Sequence, residues 1–217
     1  MRPIQKPSIK YHRTAALLLG GVLMTMTFCG KPGSSAGDSN KENQITYANK
    51  GEKKMQTAAI ISTRHGKIVV KLFPDVAPKH VASFKKLIGE KFYDGTTFHR
   101  VIPGFMIQGG DPISKDPNRR AMHGTGDPGY KIQAEFSDLN HSRGILSAAR
   151  SANPDSAGSQ FFICVADAPH LNGQYSVFGQ VVDGMDVVDK IVAEKRDQRD
   201  NPLERVEMTI TLEEREI

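Results

Sequence analysis

The chain has 217 residues, 38% apolar and 24% charged, without tryptophan, which suits one soluble domain with extensions. Its formal charge of +5 is uneven: Arg2, Lys6, Lys10 and Arg13 are the charged residues of positions 1–28, so the remainder carries 25 Lys+Arg against 24 Asp+Glu. A near-neutral remainder excludes a nucleic-acid footprint, and two cysteines without CxxC spacing exclude a redox or zinc motif.

The basic opening runs into an uncharged apolar stretch from Ala15 to Phe28. That stretch is short for a membrane-spanning helix of ~20 residues but suits the core of an export signal. The sequence MTFCGKPGSSAGDSN resembles a bacterial lipoprotein signal, in which Cys29 becomes the lipidated first residue. Phe28 departs from the small residue expected before that cysteine, and Met26 from the usual leucine. Cleavage near Ala36 and an uncleaved anchor are the other two outcomes this leader allows. Predicted organisation is therefore a signal over 1–28, a hydrophilic, Gly/Ser-rich flexible tether over 29–55 and a folded domain over 56–217.

In the folded part, TAAIISTRHGKIVVKLF reads as a β-hairpin with a polar turn containing Gly66. Pro74 and Pro78 break strand geometry, and a helix is expected from Ala77 or Pro78. Its apolar face is Val81, Phe84, Leu87 and Ile88. FYDGTTFHRV begins the next strand. Residues 111–142 lack sustained periodicity and read as a long loop, where Lys115, Arg119 and Arg120 are expected to be solvated. Strand-like runs return at GILSAA, QFFICVA and SVFGQVV, a second amphipathic helix at MDVVDKIVAEK, and a last strand at VEMTITLEE. This pattern predicts an antiparallel, all-β barrel capped by two helices.

Seven scattered histidines show no metal-ligand spacing. Ser159 is not in a GxSxG elbow, and nothing in sequence brings Asp94, Asp111 and Glu135 together as a catalytic carboxylate pair. Cys164, inside an apolar run, reads as a buried thiol. Two segments mix large apolar side chains with amides: GFMIQ and SQFFICV. As strands, they set Met106 and Gln108 on one face with Phe105 and Ile107 on the other, and Gln160 with Phe162. A buried amide is costly without a partner, so these glutamines fit the wall of a groove that holds peptide backbone.

FHRVIPGFMIQGGD, then AEF, GILSAAR and GSQFFICVADAPHLNGQYSVFGQV, in this order, resemble the cyclophilin family of peptidyl-prolyl cis-trans isomerases over about residues 58–212. The resemblance implies an eight-stranded antiparallel closed β-barrel capped by two α-helices, with an external proline-binding groove, no cofactor and no metal. It implies catalysis by Arg100, a proline pocket of Phe105, Met106, Phe162 and Leu171, a polar wall of Gln108 and Gln160, and a small groove residue at Ala149. Three positions depart from the best-known eukaryotic pattern: Arg150 for asparagine, His170 for tryptophan and Tyr175 for histidine. Expected partners are proline-containing polypeptides, engaged by a monomer bearing a lipid anchor in the cell envelope, with a soluble exported form as the alternative. A proline-peptide binding module without catalysis is the second reading of the same groove, and rests on His170 and Tyr175.

Overall fold

The structure, a computed structural model, describes residues 55–217. The leader, Cys29 and most of the tether lie outside the described residues. Strand β1 (Met55–Thr63) pairs with β2 (Gly66–Leu72) in the expected hairpin, with Thr63 opposite Gly66. Gly66 takes φ 131° and backs onto Val187, where a Cβ would sit 2.9 Å from a methyl group. Helix α1 (Pro78–Gly89) begins on a proline, as its missing N–H allows, and buries Val81, Phe84, Leu87 and Ile88. Strands β3 (Thr96–Thr97), β4 (Arg100–Ile102) and β5 (Met106–Gly109) follow. The loop region carries short 3-10 turns at Pro112–Lys115 and Pro117–Met122, each opened by an aspartate that accepts an N–H two residues on. Strands β6 (Ile145–Ala148), β7 (Phe161–Cys164) and β8 (Val177–Asp183), helix α2 (Met185–Val192) and strand β9 (Glu207–Glu216) complete the chain.

The expected closed eight-stranded barrel is not what the ladders show. Nine strands form one antiparallel sheet in the linear order β3-β9-β1-β2-β8-β6-β7-β5-β4, and its end strands do not pair with each other. The physical reason lies at Phe98 and His99, which separate β3 from β4. The Phe98 N–H donates to Val206 O and the His99 N–H to Gln108 O, so the chain switches partners between the two sheet ends there. Three peptide units span from Thr97 to Arg100, at most ~11 Å. The sheet must therefore curl strongly until its ends are neighbours, joined by backbone rather than by a ladder.

Inside the curl lies the main core, including Ile61, Val70, Phe84, Tyr93, Ile107, Phe161, Ile163 and Phe178. Alternation along β5 and β7 turns Met106, Phe162 and Cys164 to the opposite face, where they form a second apolar cluster with Ala168 and Leu171. Among the described residues no helix is long and apolar enough to cross a membrane.

Candidate active site

The β4–β5 hairpin sets Arg100 opposite Gln108 and Ile102 opposite Met106, while β7 sets Phe162 opposite Gln108. Simple alternation would have sent Phe105 to the core with Ile107. Instead Phe105 precedes β5, in a turn where Gly104 takes φ 73° and the Phe105 N–H donates to Ile102 O. The turn swings its ring onto the outer cluster beside Met106.

The amides form a chain. Gln108 Nε2 donates to Gln160 Oε1 at 2.9 Å, and Gln160 Nε2 donates to Gly124 O at 3.0 Å and Gly126 O at 2.8 Å. These bonds fix both side chains at the edge of an apolar surface and satisfy groups that would otherwise be costly to shelter. Arg100 Nη1 reaches Gln108 Oε1 at only 3.5 Å, so the exposed guanidinium keeps nearly all its donors available.

The apolar cluster is walled by Leu171, from a 3-10 turn at Pro169–Leu171, and by half-buried Phe105, Ala149 and Tyr175. Tyr175 stands edge-on to Phe162 with centroids 5.7 Å apart, and His170 lies 5.4 Å from the Phe105 ring. The Arg150 guanidinium sits 4.5 Å over Tyr175 and donates to Gln174 O and Ser151 O. That cation–π contact and these bonds tie Arg150 to Tyr175 and to the backbone of Ser151 and Gln174. The Ala149 N–H donates to Gln160 O, which ties the rim to the amide chain.

All eleven groove residues expected from sequence therefore lie on one connected surface. The carboxylates do not converge. Asp111 caps a 3-10 turn and bonds the Gly124 N–H, and Glu135 binds the start of α1. Ser159 donates to Gly110 O. Burial pushes the Cys164 thiol up to about 12, so it stays protonated in the floor of the cluster.

Sequence reasoning missed His141. It is buried, stacks on Phe162 at 6.1 Å, and its Nε2 lies 3.1 Å from Ser147 Oγ, so it props the pocket from behind. Burial lowers its pKa despite the Asn172 contact. Only a histidine inside the loop before GILSAA marked it, and no spacing rule selects such a residue. His99, behind Arg100, was equally unmarked; burial pushes it down to about 4.

A curled antiparallel sheet thus carries an apolar, amide-edged cluster on its outer face, with Arg100 at its margin. The family model for cyclophilin type peptidyl-prolyl cis-trans isomerase matches residues 58–212. The chain is 50% identical over 140 residues to a probable peptidyl-prolyl cis-trans isomerase of Brucella suis, covering 63% of this chain and 71% of that one. It is 44% identical over 151 residues to the Helicobacter pylori peptidyl-prolyl cis-trans isomerase, covering 67% and 87%. A Cryptosporidium parvum cyclophilin, solved in the presence of the dipeptide Ala-Pro, superposes with TM-score 0.66 at 32% identity, over 72% of this chain and 98% of that one. The chain belongs to the cyclophilin-type peptidyl-prolyl cis-trans isomerase family, and it is an enzyme of that class.

Proposed function

We propose that the groove holds a proline-containing segment and that Arg100 lowers the barrier to rotation about its X–Pro bond. That barrier, ~18–20 kcal/mol, is mostly lost amide resonance. In the twisted state the prolyl nitrogen pyramidalises and regains a lone pair. A guanidinium donating to that nitrogen binds the twisted state better than the planar one, and only such a difference accelerates the step. In this reading Phe105, Met106, Phe162 and Leu171 take the proline ring, Gln108 and Gln160 hold backbone, and Ala149 leaves room for it. Arg150, His170 and Tyr175 form the rim. Rotation makes and breaks no bond, so no nucleophile, proton transfer or cofactor is called for.

The observation that carries this reading is Arg100 itself: exposed, at the margin of the apolar cluster, and held only by the 3.5 Å approach to Gln108. Exchange NMR on a short X–Pro peptide tests it. We expect Arg100→Ala to lose roughly 10²–10³-fold in kcat/KM, the usual cost of removing one transition-state donor. Equal acceleration by wild type and variant removes Arg100 from the mechanism.

A second reading, a proline-peptide binding module, is supported by His170 and Tyr175, which stand against Phe105 and Phe162 of the apolar cluster and depart from the best-known family pattern. Peptide binding without acceleration beyond the uncatalysed tens of seconds to minutes would select it.

We also propose that the domain acts as a monomer outside the cytoplasm, on exported proteins, tethered through a lipid on Cys29. The basic opening, the uncharged run Ala15–Phe28 and the cysteine that follows it support this placement. Cleavage near Ala36 would leave the same domain soluble in the same compartment.

A further inference from the structure

A cleft of about 510 Å³ opens beside Arg100, bounded also by Gln108, Arg120, His123 and Arg199. Arg100 and Gln108 also stand at the margin of the apolar cluster, so the cleft adjoins it. The charges of this cleft do not balance. Arg120 is spent: it donates to Asp197 Oδ2 at 3.0 Å and to the carbonyls of Asn201 and Pro202 at 2.8 and 2.7 Å. Asp197 is the cleft's one carboxylate, and that pairing uses it. Arg199 is exposed and donates to Ala121 O at 2.6 Å, with no carboxylate partner among the described residues. Nearby acids are occupied elsewhere: Asp200 by Arg196, and Asp111 by the N–H groups of Ile113 and Gly124. Two guanidinium groups, Arg100 from β4 and Arg199 from the loop before β9, thus face one pocket without an anion.

We propose that this cleft is a subsite for a carboxylate side chain on a residue flanking the proline, so that the enzyme prefers acidic X–Pro contexts. The proposal rests on the groove being the peptide site. A guanidinium presents a planar fork of donors that matches a carboxylate, and its amide isostere matches it less well. Both guanidinium groups are exposed, so their pull on a carboxylate is screened by salt.

Four short peptides test it, identical except for Glu or Gln at the residue before the X–Pro pair or the residue after the proline. Each is titrated into isotope-labelled protein, with exchange spectra on the same samples reporting isomerisation. At one of the two positions Glu is expected to bind about three- to five-fold more tightly at low ionic strength, an advantage that shrinks in high salt. Arg199→Gln removes that preference, and Arg199→Glu turns it toward a fifth peptide with Lys at the same position; each variant's own spectrum shows that it is folded. Equal affinity of Glu and Gln at both positions overturns the proposal, as does a preference that Arg199→Glu leaves in place. Failure to isomerise the Gln peptide, with the charge preference intact, counts against Arg100 as catalyst and leaves the subsite standing.

Discussion

His99 and Arg100 are neighbours with opposite fates, one buried among Phe98 and Val101, the other exposed at the groove. Burial pushes the His99 imidazole down to about 4, against the attraction of Asp111. It is therefore neutral at pH 7 and adds no second cation behind Arg100. The folded value lies below the ordinary 6.5, so the unfolded chain takes up the proton first. Stability is full above about pH 6.5 and is lost as pH falls toward 4, by about 3 kcal/mol for this group. His141, also lowered by burial, acts in the same direction. Urea midpoints should fall steadily between pH 7 and 4, and His99→Gln should flatten that decline. An unchanged slope in the variant would assign the acid sensitivity to other groups.

Helix α1 starts without help from its own sequence, since Ala77 has no side chain to cap it. The missing acceptor comes from the loop 55 residues later: Glu135 accepts the Lys79 and His80 N–H groups at 3.0 Å each and lies 2.6 Å from His80 Nδ1. Burial raises the Glu135 pKa, but the bonds from His80 and the two N–H groups outweigh it, and the net shift is downward. The carboxylate thus fills the role of an N-cap and complements the positive helix end. Glu135→Ala should cost about 2–3 kcal/mol in denaturant unfolding, the loss of a cap plus an unpaired buried histidine contact. Glu135→Gln, which keeps an acceptor, should cost less. Sequence showed the loop only as aperiodic. Its task was hidden because capping by a residue this distant leaves no local pattern, whereas the caps by Asp111 and Asp116 act two residues away.

For the whole molecule, periodicity marked both helices by their one apolar face, while β6 and β7 showed only as apolar runs, because all their residues are buried. Closure was the feature it did not mark. Whether a sheet's ends pair or are joined by backbone depends on two residues, Phe98 and His99, that look like any other strand positions. The apolar cluster and its amide edge were legible because glutamines are conspicuous among large apolar residues. The cationic cleft beside it was not, since Arg100, Arg120 and Arg199 come from three separate segments. The proposed anchor is tested on the full chain: fatty-acid labelling should mark wild type and not Cys29→Ala. Labelling of neither protein would leave cleavage near Ala36 or an uncleaved leader.

Strand β1 is flanked on one side by β2, only two residues away, and on the other by β9, with Met55 opposite Glu216. Strand β1 thus has half its partners about 160 residues further along. Its second edge stays unpaired until β9 has been synthesised, and long-range pairing of this kind is slow to form. Completion of the sheet therefore waits on β9, whichever hairpins have formed before it. A chain threaded through a pore as an extended polymer would meet the same condition on the far side: its sheet is complete only once β9 has arrived.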